Sequence, residues 1–264
     1  MRVLFIGDVF ATPGIRVVQR YLARHGEDYD LVVANGENAA GGFGITRKHF
    51  QELRTAGVDV VTLGNHAFRQ PEAAELLEET PRLIRPATYP VGTPGLGHVT
   101  LTARDGSRVT VGQVMGRVFI EPGDDPFAAA DAIVDAAGPD GAVIIDVHAE
   151  ATSEKKVMAY HLQGRASAVI GTHTHVQTAD EIVVDGTASI TDVGMTGVQH
   201  SSIGLAFAEM HARFLTRRPH RSQPATGAGT LSAVVIAIDG RRARSIERLQ
   251  WRAEPGDGTG GEAS

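Results

Sequence analysis

Short apolar runs, each stopped by a polar or glycine-rich turn, set the rhythm of the N-terminal third. Residues 3–6 are uniformly apolar and end at Gly7-Asp8, as a buried strand would. Thr12 offers an N-cap and Pro13 a first-turn proline, which predicts a helix to about Arg24. Ile15, Val18, Tyr21 and Leu22 then share one face of it. Residues 31–34 read as a second strand, followed by Asn35-Gly36-Glu37-Asn38 and the loop Gly41-Gly42-Phe43-Gly44. Thr46 caps the next helix and Gly57 closes it. Residues 58–63 form a third strand that delivers Gly64-Asn65-His66, and residues 71–79 look helical. Strands and helices alternating this tightly predict parallel βαβ units.

The pattern then changes. Residues 98–103 and 108–114 flank Asp105-Gly106, a hairpin signal, and Asp185-Gly186 turns a second hairpin between residues 182–184 and 188–190. Helices are expected over 127–137, 154–162 and 203–215, and strands over 142–147, 168–170, 231–238 and 244–249. In the 203–215 stretch, Phe207, Met210 and Phe214 recur at helical spacing, which favours core packing over an interface. Pattern alone gives an α/β fold in a single domain, residues 1–253, with a polar, glycine-rich tail over 254–264.

Composition narrows the chemistry. The 264 residues include no cysteine, so disulfides, thiolate metal sites and a cysteine nucleophile are excluded, and any metal must take nitrogen and oxygen ligands. The net charge is -6, with Lys and Arg scattered, which argues against a track for duplex nucleic acid. No apolar stretch reaches membrane-spanning length and the start reads directly as a strand, so a cytoplasmic protein without a membrane partner is expected.

The metal-capable side chains fall in one kind of place. Asp8, Glu37 with Asn38, Asn65 with His66, His148, and His173 with His175 each follow an apolar strand. Ligands of open α/β sheets gather at the carboxyl ends of strands. Taken singly, Asp8 could be a turn former, Gly64-Asn65-His66 a turn and His148 a core histidine. Clustered histidines such as His173 and His175 are costly to bury without a metal or partner, and on an extended segment they would point the same way. A cation pair needs several single-atom ligands and a bridging carboxylate, for which Glu37 is the natural candidate. Gly41-Gly42-Phe43-Gly44 could cradle phosphate with its N–H groups or serve as a turn or lid. His25, His49, His161, His211 and His220 read as solvated or structural.

In their order, Gly7-Asp8, Gly36-Glu37-Asn38, Gly64-Asn65-His66, His148 and Gly171-Thr172-His173-Thr174-His175 resemble the calcineurin-like metallophosphoesterases. The strings Gly-Glu-Asn-Ala-Ala-Gly-Gly-Phe-Gly-Ile-Thr from Gly36 and Thr-Asp-Val-Gly-Met-Thr-Gly from Thr191 resemble more closely the YmdB-like branch, bacterial 2′,3′-cyclic-nucleotide 2′-phosphodiesterases. The resemblance implies two β-sheets packed face to face with helices outside, a four-layer α/β/β/α sandwich. It implies Asp8, Asn38 and His175 on one metal, Asn65, His148 and His173 on the other, Glu37 bridging, and His66 as proton donor. The ions would be two divalent or trivalent transition metals, iron or manganese first, with zinc also fitting. Water activated between them would attack the phosphorus of a small phosphoester or cyclic nucleotide. Two departures stand out: Phe10 takes the place of a histidine common in the superfamily, and Ala67-Phe68-Arg69 lacks an acid often found there. Asn38 would fill the first gap. A regulatory protein that binds nucleotide or an RNA-processing partner through the same site is the alternative, and a homo-oligomer stays open.

Overall fold

A computed structural model describes residues 1–120 and 123–252, so the tail expected over 254–264 lies outside the described residues. The chain opens with β1 (Arg2–Ile6), β2 (Asp8–Val9) and α1 (Ala11–His25), then β3 (Leu31–Asn35), α2 (Arg47–Ala56), β4 (Val60–Thr62), α3 (Ala73–Glu79) and β5 (Leu83–Ile84). It continues through β6 (His98–Thr102), β7 (Arg108–Met115), α4 (Pro126–Ala137), β8 (Ala142–His148), α5 (Thr152–His161) and β9 (Ala168–Thr172). It closes with β10 (Ile182–Val184), β11 (Thr187–Ile190), β12 (Met195–Val198), α6 (Phe207–Thr216), β13 (Gly229–Asp239) and β14 (Arg242–Arg252).

Two sheets result. One runs β2-β12-β13-β1-β3-β4-β5 with β14 paired to β13, and the other runs β10-β11-β9-β8-β7-β6. β1, β3, β4 and β5 are parallel, as are β7, β8, β9 and β11. Alternation along single strands builds the layers. Val3, Phe5, Leu31 and Val33 join Val111, Ile144 and Ile170 in a core between the sheets, while Leu4, Ile6, Val32 and Ala34 pack outward with Ile15, Val18 and Leu53. Val143, Ile145 and Val169 face Ile133 and Met158 of α4 and α5. Strands buried on both faces read as continuous apolar runs, which is why they were legible. The result is the helix–sheet–sheet–helix sandwich of the resemblance.

Some local expectations change. Phe10, not Thr12, occupies the N-cap of α1: Gly14 donates to the Phe10 carbonyl at 3.0 Å and Ala11 to the Asn38 carbonyl at 3.0 Å. Thr46 does cap α2, accepting from the His49 N–H. Residues 203–206 are not helical. Leu205 bridges Pro224, and α6 begins only at Phe207. On that helix Met210 is buried, but Phe207 and Phe214 are 52% and 72% exposed, so the core-packing expectation fails for both. No helix of the described residues is long and apolar enough to cross a membrane.

Candidate metal centre

Every polar residue singled out at a strand end meets the others at one edge of the sandwich. Asp8, Glu37, Asn38 and His148 are buried, and Asn65, His66, His173 and His175 partly so. The tightest group surrounds His148. Its Nε2 lies 3.0 Å from Glu37 Oε1, 3.0 Å from Asn65 Oδ1 and 3.1 Å from His173 Nδ1. A ring nitrogen carries at most one proton, so it cannot satisfy three acceptors. Atoms rich in lone pairs and crowded around one point leave a place for a cation. Glu37, His148 and His173 each offer a ligand atom within 4.8 Å of the others.

A second group lies beside it. Asp8 Oδ1 is buried with no hydrogen-bond partner among the described residues and sits 3.9 Å from His175 Nε2. An orphaned carboxylate oxygen is expensive unless something positive faces it. His175 Nε2 also lies 3.3 Å from Asn38 Oδ1. The Asn38 amide is oriented by its Nδ2, which donates to the Gly42 carbonyl at 2.9 Å, so its oxygen is turned toward His175. Asp8 Oδ1, Asn38 Oδ1 and His175 Nε2 thus form a further group of oxygen and nitrogen donors beside the first.

The charges of the cluster act strongly on one another. Burial alone would raise the Glu37 carboxyl, but the His148 and His66 imidazoles override it and hold it below the usual carboxylate range. Burial alone would lower His148; Glu37, Asp8 and Asp146 push it up instead. Burial and the neighbouring His148 bring His173 down to about 3. A ligating imidazole must be neutral, so His148 would give up its proton to a metal. Burial also lowers His66, against the pull of Glu37.

Backbone geometry makes room for these atoms. A Cβ on Gly64 would collide with Glu37 Oε2 and His148 Nε2, so only glycine lets them share that space. His173 and His175 have φ of 101° and 66°, a left-handed conformation costly for side-chain-bearing residues. The segment is therefore not extended, and the rings part: His173 turns to His148, whereas His175 Nδ1 meets the Ile203 carbonyl at 3.0 Å. In the glycine loop, the N–H groups of Gly41, Gly42 and Phe43 bond to Ala39, Asn38 and Ala40 carbonyls. Those three donors are spent within the loop, which folds back on itself as a turn. The loop instead presents a half-exposed Phe43 against the His66 ring at 5.1 Å.

The support beneath these side chains is not visible in the sequence. His148 Nδ1 lies 2.9 Å from Thr172 Oγ1, which donates to Asp146 Oδ1 at 2.7 Å. With its hydroxyl proton committed, Thr172 can only accept from His148, so Nδ1 carries the hydrogen and Nε2 is presented to the site. Asp146 Oδ2 accepts from Thr62 Oγ1 at 2.6 Å, Gln113 Nε2 at 2.8 Å and Asn35 Nδ2 at 3.4 Å. Burial raises the Asp146 carboxyl to about 6, although His148 and the hydroxyl donors oppose it. A buried ion pair, Lys155 to Asp192 at 2.7 Å, holds the 172–174 segment: Lys155 also donates to the Thr172 carbonyl at 2.6 Å, and Asp192 accepts from Thr174 N at 3.0 Å. Glu150 faces His173 Nε2 at 3.1 Å. An aspartate inside the apolar run of β8 was the one available signal.

Comparison with known proteins now adds to the geometry. A family model described as YmdB-like protein matches residues 4–249. The chain belongs to the YmdB-like family. Among its relatives is the 2′,3′-cyclic-nucleotide 2′-phosphodiesterase of Bacillus subtilis, 45% identical over 255 residues, covering 94% of this chain and 96% of that protein. Among the solved structures that share this fold are two from other bacteria. A hypothetical protein from Thermus thermophilus superposes with a TM-score of 0.92 at 48% identity, covering 96% of this chain and all of that one. A Mycoplasma pneumoniae protein titled a novel phosphatase gives 0.86 at 27% identity, covering 96% and 93%.

Proposed function

We propose that the chain is a dinuclear metal-dependent phosphodiesterase that hydrolyses small phosphoesters, above all 2′,3′-cyclic nucleotides, to 3′-nucleotides. The observation that carries this reading is the crowding of Glu37, Asn65 and His173 around His148 Nε2, with a second donor group at Asp8. The kinship with a protein named as that phosphodiesterase supports the reaction class. Asn65, His148 and His173 would hold one ion, Asp8, Asn38 and His175 the other, with Glu37 shared. The all-nitrogen-and-oxygen set suits iron, manganese or zinc. When bound, such ions supply Lewis acidity toward the phosphoryl oxygens and an acidified water as nucleophile.

The chain's own residues do the rest. His66 is the proton donor to the departing 2′ oxygen. Its backbone N–H is fixed by Glu37 Oε2 at 3.0 Å, and the Asn38 amide points an N–H at its Nδ1 across 3.3 Å, which places the ring hydrogen on Nε2. Phe43 closes one side of the ring, so His66 faces the cavity lined by Phe10, Glu37, His173 and Leu205.

Metal content of the purified protein, measured with hydrolysis of 2′,3′-cyclic AMP before and after chelation, tests the proposal. About two ions per chain and activity restored by manganese or iron are expected. A protein that takes up no metal under any reconstitution would refute it. His66→Ala should slow an alkoxide-leaving substrate ~10²–10⁴-fold while sparing a nitrophenyl ester, whose leaving group needs no proton.

A further inference from the structure

The segment joining β12 to β13 leaves the body of the protein and returns to it at the rim of the metal cavity. Ile203 and Leu205 line that cavity. The returning strand is clamped to them: Ala206 N–H donates to the Gln223 carbonyl at 2.9 Å, and Ala225 N–H to the Gly204 carbonyl at 2.8 Å. Between the clamped ends stands an arm made of α6 and residues 217–222.

The arm breaks the otherwise scattered distribution of positive charge. Arg213, Arg217, Arg218 and Arg221 are all exposed, and none has a carboxylate partner among the described residues. Glu209 is the only acidic residue between Asp192 and Asp239, in a chain of net charge -6. Interleaved with the arginines, Phe207, Phe214 and Leu215 are 52%, 72% and 71% exposed. Guanidinium groups set among exposed aromatic rings match a single strand of nucleic acid, whose phosphates meet the charges and whose bases stack on the rings. A ten-residue helix spans ~15 Å, a length suited to a few nucleotides and far short of a duplex track.

We propose that this arm binds the last few nucleotides of single-stranded RNA ending in a 2′,3′-cyclic phosphate, so that the cavity opens RNA 3′ ends as well as free cyclic nucleotides. This rests on the phosphodiesterase reading and names its substrate class. In the step itself a water oxygen bonds to phosphorus, the bond from phosphorus to the 2′ oxygen breaks, that oxygen takes a proton, and the chain keeps a 3′-phosphate. A second copy of the protein is a poor occupant, because joining two such arms would press arginines against arginines. An anionic membrane would satisfy the charges, but the arm is anchored at a cavity built for phosphodiesters, which favours a ligand continuous with the substrate.

The test compares a hexanucleotide ending in a 2′,3′-cyclic phosphate with 2′,3′-cyclic AMP, using wild type and the combined Arg217→Ala, Arg218→Ala, Arg221→Ala variant. Wild type should prefer the hexanucleotide about tenfold in kcat/KM at low salt, and three arginines should steepen the log–log salt dependence by about two. The variant should lose both effects and keep its rate on the mononucleotide. Phe214→Ala should weaken the hexanucleotide about tenfold without changing the salt slope. Equal rates on the two substrates would overturn the proposal, as would a variant that slows both alike. So would arginine-dependent pelleting with phosphatidylglycerol vesicles in a protein that ignores RNA, or a variant whose only change is in sedimentation. If wild type hydrolyses neither substrate, the phosphodiesterase reading fails, and fluorescence anisotropy with a 3′-phosphate-ended hexanucleotide judges the arm alone. Arginine-dependent binding there supports the surface; its absence removes it.

Discussion

The floor of the cavity and its rim are built by opposite rules. On the floor, polar atoms are buried and cross-linked: Asp8 and His148 have no exposed surface, and Asp146 beneath them gathers donors from Asn35, Thr62, Gln113 and Thr172. On the rim, apolar side chains are left in water, with Phe43 at 49% and Ile203 at 51% exposure. A buried polar network tolerates little change, because each lost partner leaves a group unsatisfied in low dielectric. An exposed apolar rim can vary at small cost in stability. On the proposed function, the floor would carry the reaction and the rim would choose what is held there.

The comparison breaks if floor and rim substitutions have the same signature. The largest effect is expected from Glu37→Gln, which removes a charge that two cations would share. Turnover should drop ~10³-fold or more, with metal content lowered in the same preparation. Asp146→Asn comes next. It puts an amide N–H among hydroxyl and amide donors, and metal affinity measured by calorimetry should fall ~10–100-fold. Lys155→Met strands the Asp192 carboxylate in the interior, and chemical denaturation should show a loss of about 3–5 kcal/mol. Phe43→Ala, by contrast, should raise KM for a cyclic nucleotide about tenfold while kcat and metal content stay put.

Asp180 gives the smallest effect and a control away from the floor. Burial alone would raise its carboxyl, but the Lys156 ammonium and the Thr191 and Thr178 hydroxyls hold it well below its ordinary 3.8. Its stabilisation is therefore complete at pH above that value and fades as acid brings the pH down toward the folded pKa. Asp180→Asn should cost about 1 kcal/mol at neutral pH and flatten the acid limb of the stability curve, with metal content unchanged.

The floor's clustered side chains were legible because each follows an apolar strand, and an abrupt stop at Asp, Glu, Asn or His is visible along the chain. Their supports were not. Asp146 meets Asn35 and Thr62 across 111 and 84 residues, a contact that exists only once the two sheets face each other. Thr12 looked like a cap because threonine is a common N-cap and proline a common first-turn residue, yet the helix is capped two residues earlier at Phe10, where the Ala11 N–H bonds to Asn38. The start of α6 was misplaced for a related reason: Ile203 and Leu205 have helical company in sequence, but Gly204, Leu205 and Ala206 pair with the returning segment at Gln223–Ala225 and hold the chain at the rim.

Gly64 carries a consequence for how the protein tolerates mutation. Its missing side chain is the space in which a carboxylate oxygen and an imidazole nitrogen approach one another. A saturation library selected for activity should return glycine alone at position 64, while Gly106, with open space around it, accepts asparagine or aspartate. Position 64 would then score as indispensable although it contributes no functional group, its whole role being the volume it leaves empty.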